Sequence, residues 1–256
     1  MILNIYKPLG ISPLDVIKEL QDQRPEYKEV PVTYAGRLDP MAEGVLILLA
    51  GDKVHKKEEY MKLDKEYEAE ILFGFETDTY DILGQVLQLT VVLENLENSM
   101  KKEIESLKGK ISLPLPPYSS YKIDGKPLFV WAREGKLGEI EIPMRTTAIH
   151  SAEVLDSCEI SADELLKKII EKINLVKGDF RQEETLKSWQ EVLGNKTSPG
   201  LVGLGSKDQK YLIVKAKFNV SSGTYIRSIA HSLGGTLLSL VRTKVGDFDI
   251  KDSTKI

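Results

Sequence analysis

Apolar and polar residues follow two repeating patterns along this chain, one typical of strands and the other of helices. Residues 45 to 50 are a continuous apolar run that ends at Gly51, as expected for a buried strand. Residues 65 to 74 alternate between apolar and polar positions, which indicates a half-buried strand, and residues 85 to 92 are expected to pair with it. Two further strands are predicted, at residues 2 to 6 and residues 211 to 220.

Helix start and stop signals separate these strands. Ser12 followed by Pro13 provides a favourable cap and first position for a helix over residues 13 to 23. The sequence from Ser161 to Glu164 is a capping box that begins a helix ending near residue 173. Helical spacing predicts further helices at residues 99 to 108, 128 to 135 and 182 to 193, and one that ends at the pair Gly234 and Gly235.

Two segments follow neither pattern. Residues 112 to 127 are rich in Pro, Tyr and Ser and are predicted to be irregular, and residues 194 to 209 are predicted to be a mobile loop. The mixture of strands, helices and short turns predicts an α+β (mixed α/β) protein in which a mixed sheet is flanked by helices. No linker rich in Pro, Gly or Ser divides the 256 residues, so we expect a single domain.

The overall charge gives no reason to expect a polyanionic partner, because the formal net charge is −4. The charge is unevenly distributed, however. Residues 215 to 256 hold seven Lys or Arg and three Asp, a net charge of +4, whereas residues 153 to 193 hold six Lys or Arg and ten acidic residues, a net charge of −4. Any nucleic-acid site is therefore expected to be a local basic surface on an acidic protein.

Cysteine, histidine and the N-terminal residues exclude several other classes. Cys158 is the single cysteine of the sequence, so there is no internal disulfide framework, which fits a reducing cytosol. His55, His150 and His231 show no metal-ligand spacing. The N-terminus has neither a basic leader nor a long apolar segment, so secretion and membrane insertion are not indicated. We expect a cytoplasmic protein without a metal or cofactor.

The most informative candidate for chemistry is residues 36 to 46, GRLDPMAEGVL. Gly36 permits a backbone conformation that other residues resist, and Pro40 stiffens the exit from the turn. The turn thereby presents the carboxylate of Asp39 at the start of the buried strand, where it can be held away from bulk water. The alternative is a surface turn in which Asp39 accepts a hydrogen bond from its own backbone.

Two further candidates lie in the N-terminal third of the chain. Residues 7 to 10, KPLG, place Lys7 in a constrained turn, although such a turn is also common in ordinary loops. Tyr67 lies in the alternating segment KEYEAEI, where an aromatic side chain usually belongs to the core.

A candidate RNA-binding arm follows at residues 115 to 135, LPPYSSYKIDGKPLFVWAREG. It combines rigid prolines, aromatic rings and hydroxyl groups with the cations Lys122 and Arg133. Stacking and phosphate contacts of this kind suit single-stranded or looped RNA. A solvated loop without function is the alternative.

The last candidate is residues 221 to 234, SSGTYIRSIAHSLG, in which small residues lead into a helix. The first turn of that helix is expected to present Thr224, Tyr225 and Arg227 beside backbone amides that attract anions. If Arg227 faces Asp39, the guanidinium keeps the carboxylate ionised even when water is excluded.

Together and in this order, these segments resemble the TruB family of tRNA pseudouridine synthases. The resemblance spans roughly residues 2 to 248, nearly the whole chain. It rests on the segments KPLG, GRLDPMAEGVL, KEYEAEILFGFETDTYDILG, PPYSSYKIDGKPLFVWAREG, SSGTYIRSIAHSLG and LVRTKVGDF. The TDTYDILG and SSGTYIR segments are the most diagnostic, because the LDP turn is shared with other pseudouridine synthases.

The resemblance implies a pseudouridine synthase fold with a mainly antiparallel central sheet, and isomerisation of a uridine in the T-loop of tRNA, conventionally position 55. It implies that Asp39 is the catalytic residue and that Arg227 pairs with it. Tyr67 would pack on the target base and is a candidate for managing the C5 proton. Lys7 and Pro8 would support the wall of the active site.

The resemblance also implies a thumb-like insertion at about residues 112 to 147 that closes over the RNA loop. The resemblance implies that substrate is bound by Tyr118, Ser119 and Lys122 in the thumb and by Thr224 and Tyr225 before Arg227. The reaction needs no redox step and no activated phosphate, so no cofactor is expected. The expected partner is the T-arm of tRNA, with no obligate protein partner, and the protein is expected to be a monomer.

Some positions depart from the family pattern. Tyr34, Ala35 and Gly36 stand where a His-Thr-Gly trio is common, and we expect Tyr34 to stack on the RNA in place of the imidazole. Arg37 produces an RLD turn like that of rRNA-modifying relatives, and both Tyr34 and Arg37 are expected to contact substrate. The chain ends at Ile256, so the C-terminal PUA domain common in the family is expected to be absent, with weaker tRNA affinity as the consequence.

Three alternatives remain open from the sequence. The same chemistry on rRNA or another stem-loop is suggested by Arg37. A non-catalytic RNA-binding or RNA-folding protein would not need Asp39, Tyr67 and Arg227. A small-molecule glycosidase would need a second acid near the first, for which Asp78 or Asp81 could be proposed, although both resemble turn residues.

Overall fold

The structure, a computed structural model, describes residues 1–89, 96–194 and 209–256. Its strands are β1 (Ile2–Lys7), β2 (Val32–Ala35), β3 (Ala42–Ala50), β4 (Lys65–Phe73), β5 (Phe75–Thr77), β6 (Val86–Leu89), β7 (Gly109–Pro114), β8 (Lys122–Ile123), β9 (Lys126–Pro127), β10 (Met144–Ser161), β11 (Lys210–Val220), β12 (Gly235–Val245) and β13 (Phe248–Asp249). Its α-helices are α1 (Pro13–Gln23), α2 (Lys57–Met61), α3 (Leu96–Ser106), α4 (Leu128–Arg133), α5 (Ala162–Asn174), α6 (Gln182–Gly194) and α7 (Ile226–Ser232).

One large sheet organises these elements. In the described part of the chain it has nine strands, in the order β1-β3-β12-β4-β11-β10-β7, with β2 added to β3 and β13 added to β12. The β3–β12 pair is parallel, whereas the other pairs of this sheet are antiparallel. The expectation of an α+β protein with a mixed, mainly antiparallel sheet flanked by helices is therefore confirmed.

The alternation along β4 places two different cores on the two faces of the sheet. Tyr67, Ala69 and Ile71 pack on the face covered by α3 and α7. Leu72 packs on the opposite face, which α5 and α6 cover with residues that include Trp189. The indole Nε1 of Trp189 donates to the Ile82 carbonyl over 3.0 Å, so this large side chain is buried without an unsatisfied donor.

Strand β3 is apolar throughout because both of its faces are buried. Leu46 and Leu48 pack under α1, whereas Val45 and Ile47 pack in a separate cluster on the other face. A strand covered on both sides needs no polar alternation, which explains the continuous apolar run of the sequence. The turn that carries Asp39 lies immediately before this rigid strand.

Helices α5 and α6 belong to an excursion between two neighbouring strands. Strands β10 and β11 are antiparallel partners whose paired ends are Ser161 and Lys210, and α5 and α6 lie between these two ends in the sequence. The excursion covers one face of the sheet with the helix pair. The loop of residues 175 to 181 between the two helices, hereafter the 175–181 loop, reaches back to the Asp39 turn.

Most of the helices and strands predicted from the sequence are present. The predicted cap of α1 is confirmed, since the Ser12 hydroxyl accepts from the Asp15 amide over 3.2 Å. The predicted strand at 85 to 92 is present as β6, but it pairs with β5 and not with β4. Both edges of β4 are already occupied by β11 and β12, which leaves β6 no position beside it. Residues 90 to 92 of that prediction lie outside the described residues.

Two expectations about regular structure are wrong. Residues 112 to 127 are not wholly irregular, because 112 to 114 extend β7 along β10 and the later residues contain the two-stranded ribbon β8–β9. Helix α7 begins at Ile226, so Thr224 and Tyr225 precede the helix and are not part of its first turn. The predicted mobile loop at 194 to 209 lies almost entirely outside the described residues.

Two long strands had no counterpart in the sequence predictions. Strand β10 is largely exposed and polar, so it carries a weak apolar signal, and it is held by pairing with both β7 and β11. Strand β12 occupies the centre of the sheet between β3 and β4. Among the helices of the described ranges, none is long and apolar enough to cross a membrane.

Candidate active site

Asp39 lies in the tight connection between β2 and β3. Gly36 begins the turn with φ +83, which a side chain would strain. The turn is closed by the Ala42 amide, which donates to the Asp39 carbonyl over 3.0 Å, and by the Gly10 amide, which donates to the Pro40 carbonyl over 2.8 Å. The Asp39 side chain remains 35% exposed, so its carboxylate is fixed by a rigid backbone but still reachable.

Arg227 is the ionic partner of this carboxylate. It lies in the first turn of α7 with its side chain only 5% exposed, and its Nη2 is 2.9 Å from Asp39 Oδ2. The same guanidinium donates to the carbonyls of Thr79 over 2.9 Å and Tyr118 over 3.3 Å. Four segments that are distant in sequence therefore meet at one side chain.

A second carboxylate lies behind the pair. Asp81 is buried, with Oδ2 3.7 Å from Arg227 Nε and Oδ1 accepting from the Thr79 hydroxyl over 2.6 Å. Burial raises the pKa of Asp81, although Arg227 opposes that change. Burial also disfavours the charge of Arg227, yet Asp39 and Asp81 together hold the pKa of its guanidinium above the usual value. The Asp39–Arg227 ion pair therefore lies at the edge of the core, with the buried carboxylate of Asp81 behind it.

Arg242 holds the turn from the opposite side, and the sequence analysis did not assign it a role. It lies on β12 and is 1% exposed. Its guanidinium donates to the carbonyls of Val45 over 2.7 Å, Gly36 over 3.2 Å and Arg37 over 3.3 Å. A buried arginine that satisfies three carbonyls fixes the path of the chain on both sides of Asp39. The segment LVRTKVGDF, which contains Arg242, carries part of the family resemblance, and this is the one signal in the sequence that points to the residue.

Lys7 and Pro8 lie beneath the turn rather than in a free loop. Lys7 is the last residue of β1 and is fully buried, and its Nζ donates to the carbonyls of Ala42 over 2.6 Å and Pro8 over 2.9 Å. Burial lowers the pKa of Lys7 to about 8. From this buried position Lys7 can support the wall of the active site, but its direct contact with a large substrate is difficult.

Two cavities meet at Asp39 and Arg227, which line both of them. The first cavity has a volume of about 460 Å³ and is called the Tyr67 cavity. Its lining includes Tyr67, Tyr225, Ser119, Thr224, Lys57, Lys65 and Arg242. The second cavity has a volume of about 420 Å³ and is called the Phe180 cavity. Its lining includes Tyr118, Phe129, Arg133, Asp179, Phe180 and Arg181. Tyr34, Arg37 and Ser120 line both cavities.

The Tyr67 cavity is strongly positive. Lys57, Lys65, Arg37, Arg227 and Arg242 line it, and among the described lining residues Asp39 is the only carboxylate. Lys65 is buried, donates to the Met61 carbonyl over 2.6 Å, and has a pKa that burial lowers to about 8. Such a cavity attracts an anionic ligand while it retains one carboxylate for chemistry.

The hydroxyl groups of the Tyr67 cavity differ in whether their hydrogen bonding is satisfied. The Ser119 hydroxyl is buried and, within the described structure, has no hydrogen-bond partner. Thr224 instead donates to the Ser221 carbonyl over 2.9 Å. Burial, followed by the charge of Asp39, raises the pKa of Tyr225, so this phenol stays protonated. An unsatisfied buried hydroxyl is costly unless a ligand completes its hydrogen bonding.

The remaining predicted residues divide between the cavities and the surface. Arg37 is exposed, donates to the Tyr34 hydroxyl over 3.2 Å and also donates to Ser120 of the predicted thumb. The Tyr118 ring lies 4.3 Å from the guanidinium carbon of Arg181. Lys122 is exposed on the β8–β9 ribbon and lies outside the lining of both cavities.

Comparison with known proteins shows the family to which the chain belongs. The model of the family described as "TruB family pseudouridylate synthase (N terminal domain)" matches residues 24–179. A tRNA pseudouridine synthase B of Clostridium tetani is 31% identical over 100% of this chain and 71% of its own length. The protein of the same name from Caldicellulosiruptor saccharolyticus is 29% identical over 98% of this chain and 69% of its own length.

Solved structures show the same fold. The crystal structure of a Cbf5-Nop10-Gar1 complex contains a chain that matches all of this one with a TM-score of 0.55 at 18% identity. The present chain spans about half (51%) of that chain. The family model and the relatives named tRNA pseudouridine synthase B define the class of this protein as a pseudouridine synthase. The chain belongs to the TruB family of pseudouridylate synthases.

Proposed function

We propose that this protein isomerises uridine to pseudouridine in the T-loop of tRNA, at the position conventionally numbered 55. The observation that carries the proposal is the Asp39 carboxylate, which is paired with Arg227 over 2.9 Å at the junction of two cavities and 35% exposed. The printed names of the relatives support tRNA as the class of substrate.

The reaction requires an everted nucleotide, because the reacting atoms are hidden while the base is stacked. Flipping a base out costs a few kcal/mol, and less in a loop than in a duplex. The Tyr67 cavity, of about 460 Å³, provides space for the base beside Tyr67 and Asp39. Its surplus of cations attracts the phosphates on both sides of the flipped nucleotide.

The chemistry that follows needs a carboxylate and an aromatic surface. The N1–C1′ bond of uridine breaks, the uracil ring turns within the closed cavity, and a C5–C1′ bond forms. The proton leaves C5, and N1 gains one. Asp39 stabilises the cationic character that develops at C1′, as nucleophile or as counter-charge, or removes the C2′ proton. Tyr67 keeps the detached base stacked and is positioned as a candidate for the C5 proton.

The carboxylate is tested by tritium release from RNA labelled at C5 of uridine. We expect release with the wild-type protein and none with Asp39→Asn, which still binds the RNA because the cavity keeps its cations. Turnover should fall by at least about 1000-fold. Asp52→Asn, at an exposed acid on the 3-10 turn after β3, is the matched control. Release by Asp39→Asn at the wild-type rate would refute the assignment.

The class of RNA is tested by the same assay with different substrates. A minimal T-arm hairpin and full-length tRNA should both release tritium, whereas rRNA fragments should not. Arg37 favours the second candidate, the same chemistry on rRNA or another stem-loop, because it produces an RLD turn and lies exposed at the rim of both cavities. Release from rRNA fragments alone would establish that candidate. Binding without release from any RNA would indicate a non-catalytic RNA-binding protein.

The setting of the reaction completes the proposal. We place the protein in the cytoplasm, where its proposed substrate is found and where its free, exposed Cys158 stays reduced. It acts as a monomer, with residues 112 to 147 as a thumb within one catalytic domain. A single mass at the monomer value in light scattering, unchanged at assay concentration, is the expected result.

A further inference from the structure

The 175–181 loop connects α5 to α6 and belongs to the excursion between β10 and β11. Its residues Asp179, Phe180 and Arg181 line the Phe180 cavity together with the thumb residues Tyr118 and Phe129. The cavity therefore has one wall from the thumb and another from the excursion. None of the residues assigned above from family resemblance belongs to this second wall.

The loop is held in place by its own hydrogen bonds. The Gln182 amide nitrogen donates to the carbonyls of Gly178 over 2.7 Å and Val176 over 3.0 Å. The Gln182 amide oxygen accepts from the Phe180 backbone over 2.9 Å. One side chain therefore closes the loop, and Arg181 is held at φ +59, a conformation that side-chain-bearing residues seldom adopt.

Two other segments of the site anchor the loop from outside. The Lys177 amide donates to the Gly10 carbonyl over 2.8 Å, and a Cβ at Gly10 would lie 2.0 Å from the Leu175 carbonyl oxygen. The KPLG turn thus needs its glycine for this contact. On the thumb side, Arg133 donates to the Asp179 carbonyl over 2.7 Å.

Arg181 is the centre of this wall. Its guanidinium pairs with Asp78 over 2.9 Å and lies over the Tyr118 ring at 4.3 Å. Its Nη2 is buried and, among the described residues, has no hydrogen-bond partner. An arginine with one unused donor, beside aromatic rings in an open cavity, suits an anionic and planar ligand. Because this Nη2 is buried, an acceptor that enters the cavity reaches it only if the guanidinium turns toward the cavity.

We propose that the 175–181 loop forms a second RNA subsite, in which Arg181 binds a phosphate next to the target uridine and Phe180 contacts the neighbouring nucleotide. The inference rests on the proposed function, since it assumes that the uridine occupies the adjoining Tyr67 cavity. The two cavities share Asp39 and Arg227, so a nucleotide directly joined to the target can reach this wall. Because the loop is already ordered, its binding costs little conformational entropy.

The test compares Arg181→Gln with Arg181→Lys on a T-arm hairpin. Arg181→Gln should raise KM about tenfold with kcat within twofold, and the slope of log(kcat/KM) against log[salt] should become shallower by about one. Arg181→Lys should recover the salt slope but only part of KM, because lysine keeps the charge and loses the planar fork. Lys187→Gln, which removes an exposed charge on α6, is the matched control and should change neither.

A second measurement separates substrate contact from a structural effect. Hairpins that carry one neutral methylphosphonate linkage, at each position within two nucleotides of the target, should lose affinity for the wild type at one position. At that position Arg181→Gln should add no further loss, because variant and RNA lack the same contact. Gln182→Ala, which frees the loop without entering the cavity, should raise KM about threefold.

The outcomes distinguish this inference from the proposed function. Tritium release by the wild type, together with unchanged KM and salt slope for Arg181→Gln, overturns the subsite and leaves the function intact. Additive losses at every methylphosphonate position also overturn it. Absence of release from every RNA overturns both. If Arg181→Gln unfolds at a lower temperature than the wild type, the kinetic and methylphosphonate measurements are repeated with Arg133→Gln. The guanidinium of Arg133 is more exposed and lines the same cavity.

Discussion

The Tyr67 cavity and the Phe180 cavity share one carboxylate and one arginine, but they differ in how they are built. The Tyr67 cavity takes its central residues from or next to strands of the sheet, with Tyr67 and Lys65 on β4 and Arg242 on β12. The Phe180 cavity takes its distinctive residues from the thumb and the 175–181 loop. Paired strands hold side chains with little freedom, which suits bond breaking, whereas loops can vary in sequence and suit recognition.

The two cavities also differ in the chemistry of their cations. Lys65 in the Tyr67 cavity has a pKa lowered by burial to about 8, so it loses charge in an accessible pH range. Arg133 and Arg181 in the Phe180 cavity are arginines, which stay charged. The comparison therefore predicts that changes in the first cavity affect turnover and pH response, and changes in the second affect affinity.

The largest effect is expected at Arg227, which both cavities share. Arg227→Lys keeps a charge but cannot serve Asp39 and the Thr79 carbonyl together. We expect kcat to fall at least about 100-fold and the free energy of unfolding to fall by about 3 kcal/mol, because two carboxylates lose their partner. Single-turnover tritium release and chemical denaturation measure the two effects. Arg24→Lys, at the end of α1, is the control. Equal losses of kcat and unfolding free energy in Arg24→Lys would show that the effect is not specific to Arg227.

The next effect is expected at Tyr67, which belongs to the first cavity alone. Tyr67→Phe removes the hydroxyl and keeps the ring, so kcat should fall about 100-fold with KM unchanged if the phenol handles the C5 proton. Tyr67→Leu should also raise KM, because the stacking surface is lost. Tyr60→Phe, whose ring packs on Phe248 at 6.1 Å, is the control. Wild-type turnover by Tyr67→Phe would limit this residue to stacking.

A smaller effect is expected at Arg242, which acts through the backbone of the Asp39 turn. Lysine cannot reach the carbonyls of Val45, Gly36 and Arg37 at once. Arg242→Lys should therefore lower kcat about tenfold and the free energy of unfolding by about 2 kcal/mol, with KM changed less than kcat. Steady-state kinetics measure kcat and KM, and chemical denaturation measures the free energy of unfolding. Lys244→Gln, two residues along β12, is the control, and a purely stability effect would contradict a positioning role.

The smallest effect is expected from pH. As pH rises from 7 to 9, Lys65 passes through its pKa of about 8 and loses its positive charge, so attraction for the RNA phosphates weakens. KM should rise about threefold over this range and should rise less in Lys65→Arg, whose charge does not titrate. Lys7, with a pKa of about 8, titrates in both proteins and provides the shared background. An identical pH response in Lys65→Arg would assign the effect to Lys7 or another group.

The chemistry was more predictable from the sequence than the architecture around it. Asp39, Tyr67 and Arg227 lie in segments whose patterns indicated a glycine turn, a half-buried strand and a helix start. The structure brings all three to one cavity, and their predicted roles remain predictions. Arg242 was missed because a lone arginine in a strand-like segment is usually a surface residue. Arg181 was missed because its loop connects two amphipathic helices that suggested packing alone.

The sequence by itself determined the local elements of this protein, because helix caps, strand alternation and glycine turns depend on neighbouring residues. It also carried the family resemblance, which depends on the order of short segments. The tertiary structure decided which strands are neighbours and which loops meet. The pairing of β12 with β3, and the return of the 175–181 loop to the KPLG turn, depend on contacts between residues far apart in the chain. No local pattern contains such contacts, so only the folded protein shows that Arg242 and Arg181 lie on two sides of the same aspartate.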